Sequence, residues 1–150
     1  MSRMLLASLL ALSAVACARQ PTAPEVKNAW ARDTIGSTAN AAVFMTISSP
    51  MPDRLVAAST PIANKTDLMT IAGSSGMMDM KYLAGIDISP NTPVTLSPTG
   101  LHIWLADLKQ PLRSGQSFPM FLRFRKAGQQ RVMVTVIGAA AAPPRSAMSM

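Results

Sequence analysis

The residues in this chain best able to do chemistry are soft metal donors. The 150 residues include 12 Met, a single His and a single Cys. Thioether sulfur is polarisable and uncharged, and it favours Cu(I) over Zn²⁺, Ca²⁺ or Mg²⁺. One imidazole with a few thioethers makes a ligand inventory typical of Cu(I) or Ag(I).

Other kinds of site lack the residues they need. A single His excludes a protein-only site of two or three imidazoles, and a single Cys excludes an internal disulfide and any Cys-x-x-Cys motif. No Gly-x-Ser-x-Gly elbow occurs, and the scattered acids form no evident catalytic pair. The Gly-Ser-Ser-Gly stretch at 73–76 lacks the Lys of a phosphate-binding loop. The sequence therefore predicts a binding protein, not an enzyme.

Two strand-like segments position the candidate ligands. In the segment 101–105, Leu101, Ile103 and Leu105 form an apolar side, which turns His102 and Trp104 together to the other side. Their backbones should then lie about 6.5–7 Å apart.

The second segment, 77–82, also alternates, so Met78, Met80 and Tyr82 share one side. Its Met residues stand in a polar setting flanked by Gly and Ser, which is not where core-filling Met is expected. Met78 is therefore an auxiliary ligand candidate.

The surrounding chain predicts an all-β fold. Short runs of β-formers occur at 41–47, 93–96, 101–105, 120–125 and 131–137, with Gly and Pro between them. No long stretch has a 3.6-residue apolar period. We expect one domain of about residues 25–138, built as an antiparallel sandwich or barrel. Met45 and Met120 alternate with apolar neighbours and are predicted to fill its core.

The N-terminal segment predicts export. Residues 1–16 combine Arg3 with a short apolar run that ends in small residues, as a signal peptide does. The following Cys17 completes an imperfect lipobox and is the candidate lipidation site; ordinary cleavage without lipidation is the alternative. Residues 17–24 are predicted to be a linker and residues 139–150 a disordered tail, whose Met148 and Met150 are given no role. We expect a periplasmic or envelope location, with membrane association through a lipid anchor.

The charge balance limits the kinds of partner that we expect for this protein. The net charge is +7, which favours anionic membranes or acidic protein surfaces, although solubility alone would also explain it. Aromatic residues make up only 5%, too few for a base-stacking platform. Together with export, this argues against nucleic acid as a partner.

Ten residues separate Met69 from Met80, and twenty-one separate Met80 from His102. With this spacing the chain resembles the PCuAC family of periplasmic copper chaperones. The pattern of that family is His or Met, ten residues, Met, twenty-one residues, and then His-x-Met. Met69, Met80 and His102 match its first three ligand positions. The segments 28–32, 53–61 and 108–112 look like family landmarks, so the resemblance covers about residues 26–137.

The resemblance implies a cupredoxin-like β-sandwich that carries Cu(I) in the bacterial envelope. It also implies partners: the copper subunit of cytochrome c oxidase and a membrane-tethered Sco-type protein. Trp104 departs from the pattern, since it stands where the last Met ligand is expected, and Met69 stands where His is common. One interpretation is a site of Met69, Met80 and His102 capped by the Trp104 indole, because an aromatic face attracts a cation within about 6 Å. This arrangement resembles the small periplasmic copper/silver carrier of cation-efflux systems. The alternative is a metal-free envelope lipoprotein, serving adhesion or assembly, that has lost the full site.

The ligand types predict how binding responds to acid. Thioethers bind Cu(I) without releasing protons, so His102 is the one candidate ligand that competes with protons. Affinity should therefore decline below about pH 6.5.

Overall fold

The computed structural model describes residues 23–74 and 77–145, which form ten strands and contain no helix. No helical span long and apolar enough to cross a membrane occurs in this part of the chain. The predicted signal peptide at 1–16, Cys17, and Met148 and Met150 lie outside the described residues. The strands are β1 Glu25–Arg32, β2 Ala41–Ser48, β3 Asp53–Ser59, β4 Ala63–Ser74, β5 Met77–Tyr82, β6 Ile86–Ile88, β7 Val94–Thr95, β8 His102–Leu108, β9 Ser117–Phe124 and β10 Gly128–Ile137.

The strands pair in the order β5-β4-β8-β2-β1-β10-β9-β3-β6, and β7 pairs with β2. Side chains from both halves of this path meet in one core, so the sheet folds over on itself as a β-sandwich whose edge strands are β5 and β6. We call β5, β4, β8, β2 and β1 the first layer, and β10, β9, β3 and β6 the second layer. One pairing departs from the antiparallel expectation, because β1 and β10 run parallel where Trp30–Arg32 align with Thr135–Ile137.

Alternation along the strands decides which side chains enter the core. The predicted inward residues are buried in both layers, and Met45 and Met120 are among them, as expected for gap-filling methionines. The core combines residues of the first layer with residues of the second: Val43, Met45, Ile47, Leu68, Ile103 and Leu105 with Leu55, Met120, Leu122, Phe124, Val134 and Val136. The all-β, single-domain fold predicted from the sequence is thus confirmed.

Several strands have no clear signal in the sequence. β3 and β4 are rich in Ala, Asp, Asn and Lys, which are depleted in strands. They form because β3 pairs with β9 and β6, and β4 pairs with β8 and β5. Conversely, the run at 93–96 yields only the two-residue strand Val94–Thr95. Pairing with neighbouring strands therefore overrides local propensity here.

The first residues of the predicted disordered tail are held in place. Arg32 donates through Nη1 to the carbonyl oxygens of Ala139 at 2.6 Å and Ala141 at 3.1 Å. The same guanidinium lies 5.3 Å from the centroid of the Trp30 ring. Hydrogen bonding to the main chain therefore extends order a few residues beyond the end of β10.

Candidate metal centre

The pairing of β4 with β8 brings two candidate ligands together. Met69 and His102 are direct partners in this antiparallel register. Directly opposed residues on neighbouring strands have Cα atoms about 4.5–5.5 Å apart, and their side chains emerge on the same side of the sheet. Two donors that are 33 positions apart in the sequence (102 − 69) thus become neighbours.

The core fixes which way His102 points. Ile103 and Leu105 are fully buried on the inner side of β8, so His102 and Trp104 project from the outer side, as predicted. His102 is nevertheless only 3% exposed, and Met69 is 4% exposed. Two of the three predicted ligands therefore lie in a shielded pocket on the outer side of the first layer.

Aromatic rings form the wall of this pocket next to His102. The Phe44 ring centroid lies 6.5 Å from that of His102, and the Trp30 ring packs against Phe44 with the centroids 4.6 Å apart and the planes tilted by 43°. Trp30 reaches this position because β1 has a bulge between Lys27 and Trp30, where Asn28 adopts a φ of 52°. A bulge adds one residue to a strand and resets which side chains face outward, and Asn tolerates the left-handed conformation. The bulge therefore aligns Trp30 with Phe44.

The main chain before β8 orients the imidazole. His102 Nδ1 lies 3.0 Å from the carbonyl oxygen of Gly100, which also accepts a hydrogen bond from the Ile71 amide at 3.3 Å. A carbonyl oxygen can only accept, so Nδ1 must carry the proton. The neutral ring then has its lone pair on Nε2. A hydrogen bond from one ring nitrogen to a backbone carbonyl is typical of histidines that ligate metals through the other nitrogen.

Met80 occupies a different environment from the other two candidates. It lies on β5, the edge strand, opposite Ile71, whereas Tyr82 is the residue directly opposite Met69. Met80 is therefore a diagonal neighbour of Met69 on the same side of the sheet, a relation that spans about 7–8 Å between backbones. It is 47% exposed, which a flexible thioether side chain allows. Met78 aligns with Gly73 in the same hairpin, but its side chain lies outside the described part of the structure.

Trp104 borders the pocket two residues further along β8 from His102. Its ring centroid lies 6.4 Å from that of His102, at an interplanar angle of 74°. Trp104 is partly exposed and aligns with Asp67 of β4. The Asp67 carboxylate is ion-paired with Lys65 at 3.3 Å, and Lys65 Nζ also lies 5.5 Å from the centroid of the Tyr82 ring. The charges beside the pocket are thus paired with each other.

The donor atoms of the pocket are soft and neutral, and the described residues offer few other metal ligands. Within residues 23–74 and 77–145, no cluster of three or more His, Cys, Asp or Glu residues could hold a metal ion. Met69, Met80 and His102 are on one side of three adjacent strands, with Trp104 beside them. This donor set suits a monovalent soft ion and is unsuited to Mg²⁺ or Ca²⁺.

The sequence analysis missed the aromatic wall and the orienting carbonyl. Phe44 alternates with Val43 and Met45, so its outward direction follows from the same pattern that places Met45 in the core. Trp30 gives no such signal, because the bulge at Asn28 changes the alternation in β1. The contact from the Gly100 carbonyl depends on the turn before β8 and has no sequence signature.

The fold and the site define a class of protein. It is a small β-sandwich with a pocket of soft metal donors on the outer side of one layer. A family model named LpqE-like, with the description "Putative lipoprotein LpqE-like", matches residues 25–136. No curated protein sequence matches the chain.

Solved structures agree with the family match. The apo PCuAC domain from PmoF1 superposes with a TM-score of 0.66 at 25% identity, covering 77% of this chain and 93% of that domain. Apo-DR1885 from Deinococcus radiodurans is 29% identical, with a TM-score of 0.62 and coverage of 93% and 95%. The Cu(I) form of DR1885 is also 29% identical, with a TM-score of 0.63 and coverage of 84% and 85%. The chain belongs to the LpqE-like family of PCuAC domains, and its sandwich is the cupredoxin-like fold of that family.

Proposed function

We propose that this protein is a copper chaperone of the bacterial envelope, which binds Cu(I) and hands it to an acceptor. The ion would be held by the sulfur atoms of Met69 and Met80 and by Nε2 of His102. Trp104 would shield it from one side. The protein acts as a carrier and not as an enzyme.

The observation that carries the proposal is the direct pairing of Met69 with His102 across β4 and β8. Both side chains are buried, and the Gly100 carbonyl leaves Nε2 free to ligate. A thioether and an imidazole nitrogen, both buried and on directly paired residues, give two soft donors that can reach one ion. The Cu(I)-bound relative DR1885 supports the same assignment of the metal and its oxidation state.

Release would begin at Met80. This thioether is half exposed on an edge strand, whereas the other two donors are enclosed. A donor from an acceptor protein can therefore displace Met80 while Met69 and His102 still hold the ion. The transfer would pass through an intermediate in which donors of both proteins bind one Cu(I) ion. No proton has to leave a thioether, so exchange at this position is independent of pH.

The proposed location and partners rest on the sequence and on the resemblance to the family. The family description supports an envelope lipoprotein, for which Cys17 is the candidate acylation site. The acceptors proposed by resemblance are the copper subunit of cytochrome c oxidase and a Sco-type protein.

Competition with a Cu(I)-specific chelator under reducing conditions tests this function. We expect one Cu(I) ion per chain, retained against a chelator of micromolar affinity and lost in His102→Gln. The metal-free lipoprotein alternative, which the Trp104 replacement favours, predicts no stoichiometric copper in the wild-type protein. That result would overturn the proposal.

A further inference from the structure

The outer side of the second layer is a basic surface with apolar residues between its charges. Arg123 and Arg131 are exposed there on β9 and β10, and Arg131 aligns with Phe121. On the same side Met133, which is 51% exposed, aligns with Pro119. Arg123 is two residues from Phe121, so the two guanidinium groups are diagonal neighbours about 7–8 Å apart at the backbone. We call these five residues the β9–β10 face.

The positive charge of this face is not neutralised within the described part of the chain. Arg123 and Arg131 form no ion pair there, nor does Arg125 beyond the end of β9. The nearby acids are already engaged: Glu25 pairs with Lys27, and Asp87 pairs with Arg54.

Asp53, the remaining acid near this face, is also engaged. Its carboxylate accepts hydrogen bonds from the backbone N–H groups of Arg54, Lys126 and Ala127. The acids near the β9–β10 face in residues 23–74 and 77–145 are thus all engaged elsewhere, which leaves its arginines available to an external anion.

The face lies on the side of the sandwich away from the candidate copper site. Inner residues of β8 and of β9 and β10 share one core, for example Ile103 with Leu122 and Val134. His102 projects outward from the first layer and Arg131 outward from the second, so they point in opposite directions.

The chain also enters the domain beside this face. Gln130, the neighbour of Arg131, donates through Nε2 to the carbonyl oxygen of Pro24 at 2.8 Å. A cleft of about 960 Å³ opens here between the start of β1 and the start of β10, before the two strands pair, and Pro24, Arg131 and Met133 contribute to its lining. The seven steps from Cys17 to Pro24 span at most about 25 Å. A membrane anchor at Cys17 would thus keep the domain close to the lipid surface, with its point of attachment beside the β9–β10 face.

We propose that the β9–β10 face binds the surface of an anionic phospholipid bilayer. Its arginines would contact phosphate groups, while Phe121 and Met133 would enter the headgroup region. Clustered basic residues near an anionic membrane each contribute about 1 kcal/mol, or roughly five-fold in affinity. The bound protein would present the His102 pocket to the aqueous compartment, a consequence that depends on the proposed copper function. Lipid binding itself does not depend on that function.

Vesicle co-sedimentation tests the proposal. The full chain carries Cys17→Ser, so that no acyl chain can form, and is mixed with phosphatidylglycerol-containing or pure phosphatidylcholine vesicles. The phosphatidylcholine arm measures whatever the N-terminal apolar segment contributes. The test variant is Arg123→Glu with Arg131→Glu. The matched control is Lys109→Glu with Arg113→Glu, which makes the same change in net charge at exposed positions outside the face.

We expect wild-type protein to prefer the anionic vesicles, and the face variant to lose more than about ten-fold in affinity for them, given roughly five-fold per basic residue. The control should lose much less, and binding should weaken at high salt because the interaction is screened. Equal losses in both variants, or no preference for anionic vesicles, would overturn the proposal. Cu(I) affinity, measured in parallel, should be unchanged in the face variant, which separates this outcome from that of the copper function.

Discussion

The two sides of the candidate copper site differ in how firmly the fold holds them. Met69 and His102 sit on β4 and β8, which are paired on both sides, and both side chains are less than 5% exposed. Met80 sits on β5, which has a partner on one side only, and is 47% exposed. A carrier needs both properties, since one side retains the ion and the other lets an acceptor reach it.

The difference has a physical origin in the sheet. The residues next to Met69 and His102 in sequence are Leu68 and Ile103, and both belong to the core. Displacing either ligand would therefore disturb core packing, which is costly. An edge strand with few buried contacts opens at lower free energy than a central strand. Strand β5, which carries Met80, can therefore move away while the Met69–His102 pair on β4 and β8 stays in place.

The largest expected effect is the loss of the imidazole. His102→Gln keeps much of the side-chain volume but offers no imidazole nitrogen, so we expect Cu(I) affinity to fall at least about 100-fold, since outer-sphere changes alone cost up to that much. Chelator competition measures the loss. Circular dichroism should show an intact fold, which separates a missing ligand from an unfolded domain. Wild-type affinity retained in this variant would contradict the account.

The difference between the enclosed side of the site and its exposed side is tested by replacing each Met with Leu, a change that conserves volume. Met69→Leu should weaken equilibrium binding of Cu(I) by at least about ten-fold. Met80→Leu should have a smaller effect on affinity but should speed the loss of Cu(I) to a competing chelator, as measured by stopped flow.

Two methionines elsewhere in the chain provide controls of matched burial. Met45→Leu replaces a buried methionine of the core, and Met133→Leu replaces an exposed one on β10. Neither should alter copper binding. If Met69→Leu and Met80→Leu change affinity and release rate alike, the division into a retaining side and an exchanging side is wrong.

A smaller effect is expected at Trp104. Its ring lies beside His102, so Trp104→Leu should weaken Cu(I) binding by about two- to five-fold, the size of a partly exposed cation–π contact. Indole fluorescence should fall when wild-type protein binds Cu(I), and most of that change should vanish in Trp104→Leu. Full quenching that persists in the variant would assign the signal to Trp30 and remove Trp104 from the site.

The smallest effect concerns a region far from the copper pocket and tests whether the site depends on global stability. Burial alone would raise the pKa of Asp53, but hydrogen bonds from Lys126, Arg54 and Ala127 and the charge of Lys126 together bring it below its ordinary value of 3.8. The ionised form is thus favoured in the folded state. Its stabilising contribution is complete above about pH 4 and is lost as the pH falls through the lower, folded pKa.

Thermal unfolding from pH 2.5 to 7 checks this prediction. Asp53→Asn should unfold at a lower temperature than wild type at neutral pH, and the difference should shrink in acid. Cu(I) affinity at pH 7 should match that of wild type, because the hydrogen bonds of the Asp53 carboxylate run to Arg54 and the β9–β10 turn, both far from the pocket. A constant difference at all pH values would show that the Asp53 charge has no part in stability.

Sequence patterns predicted part of this architecture, because inward and outward side chains alternate along a β-strand. The outward direction of His102 and Trp104 followed from the apolar residues Ile103 and Leu105, and the core roles of Met45 and Met120 followed in the same way. The relation of Met80 to Met69 was not predictable, because the register of the β4–β5 hairpin depends on pairing between polar, weakly β-forming segments. The burial of His102 also depends on Phe44 and Trp30, which are brought together only by the bulge in β1.

X-ray absorption spectroscopy at the copper edge of the Cu(I)-loaded chain tests the central claim most directly. We predict one nitrogen and two sulfur scatterers around the ion, with one sulfur lost in Met80→Leu and the nitrogen lost in His102→Gln. A first shell of nitrogen or oxygen atoms alone, or a sulfur count unchanged in Met80→Leu, would contradict the site of Met69, Met80 and His102.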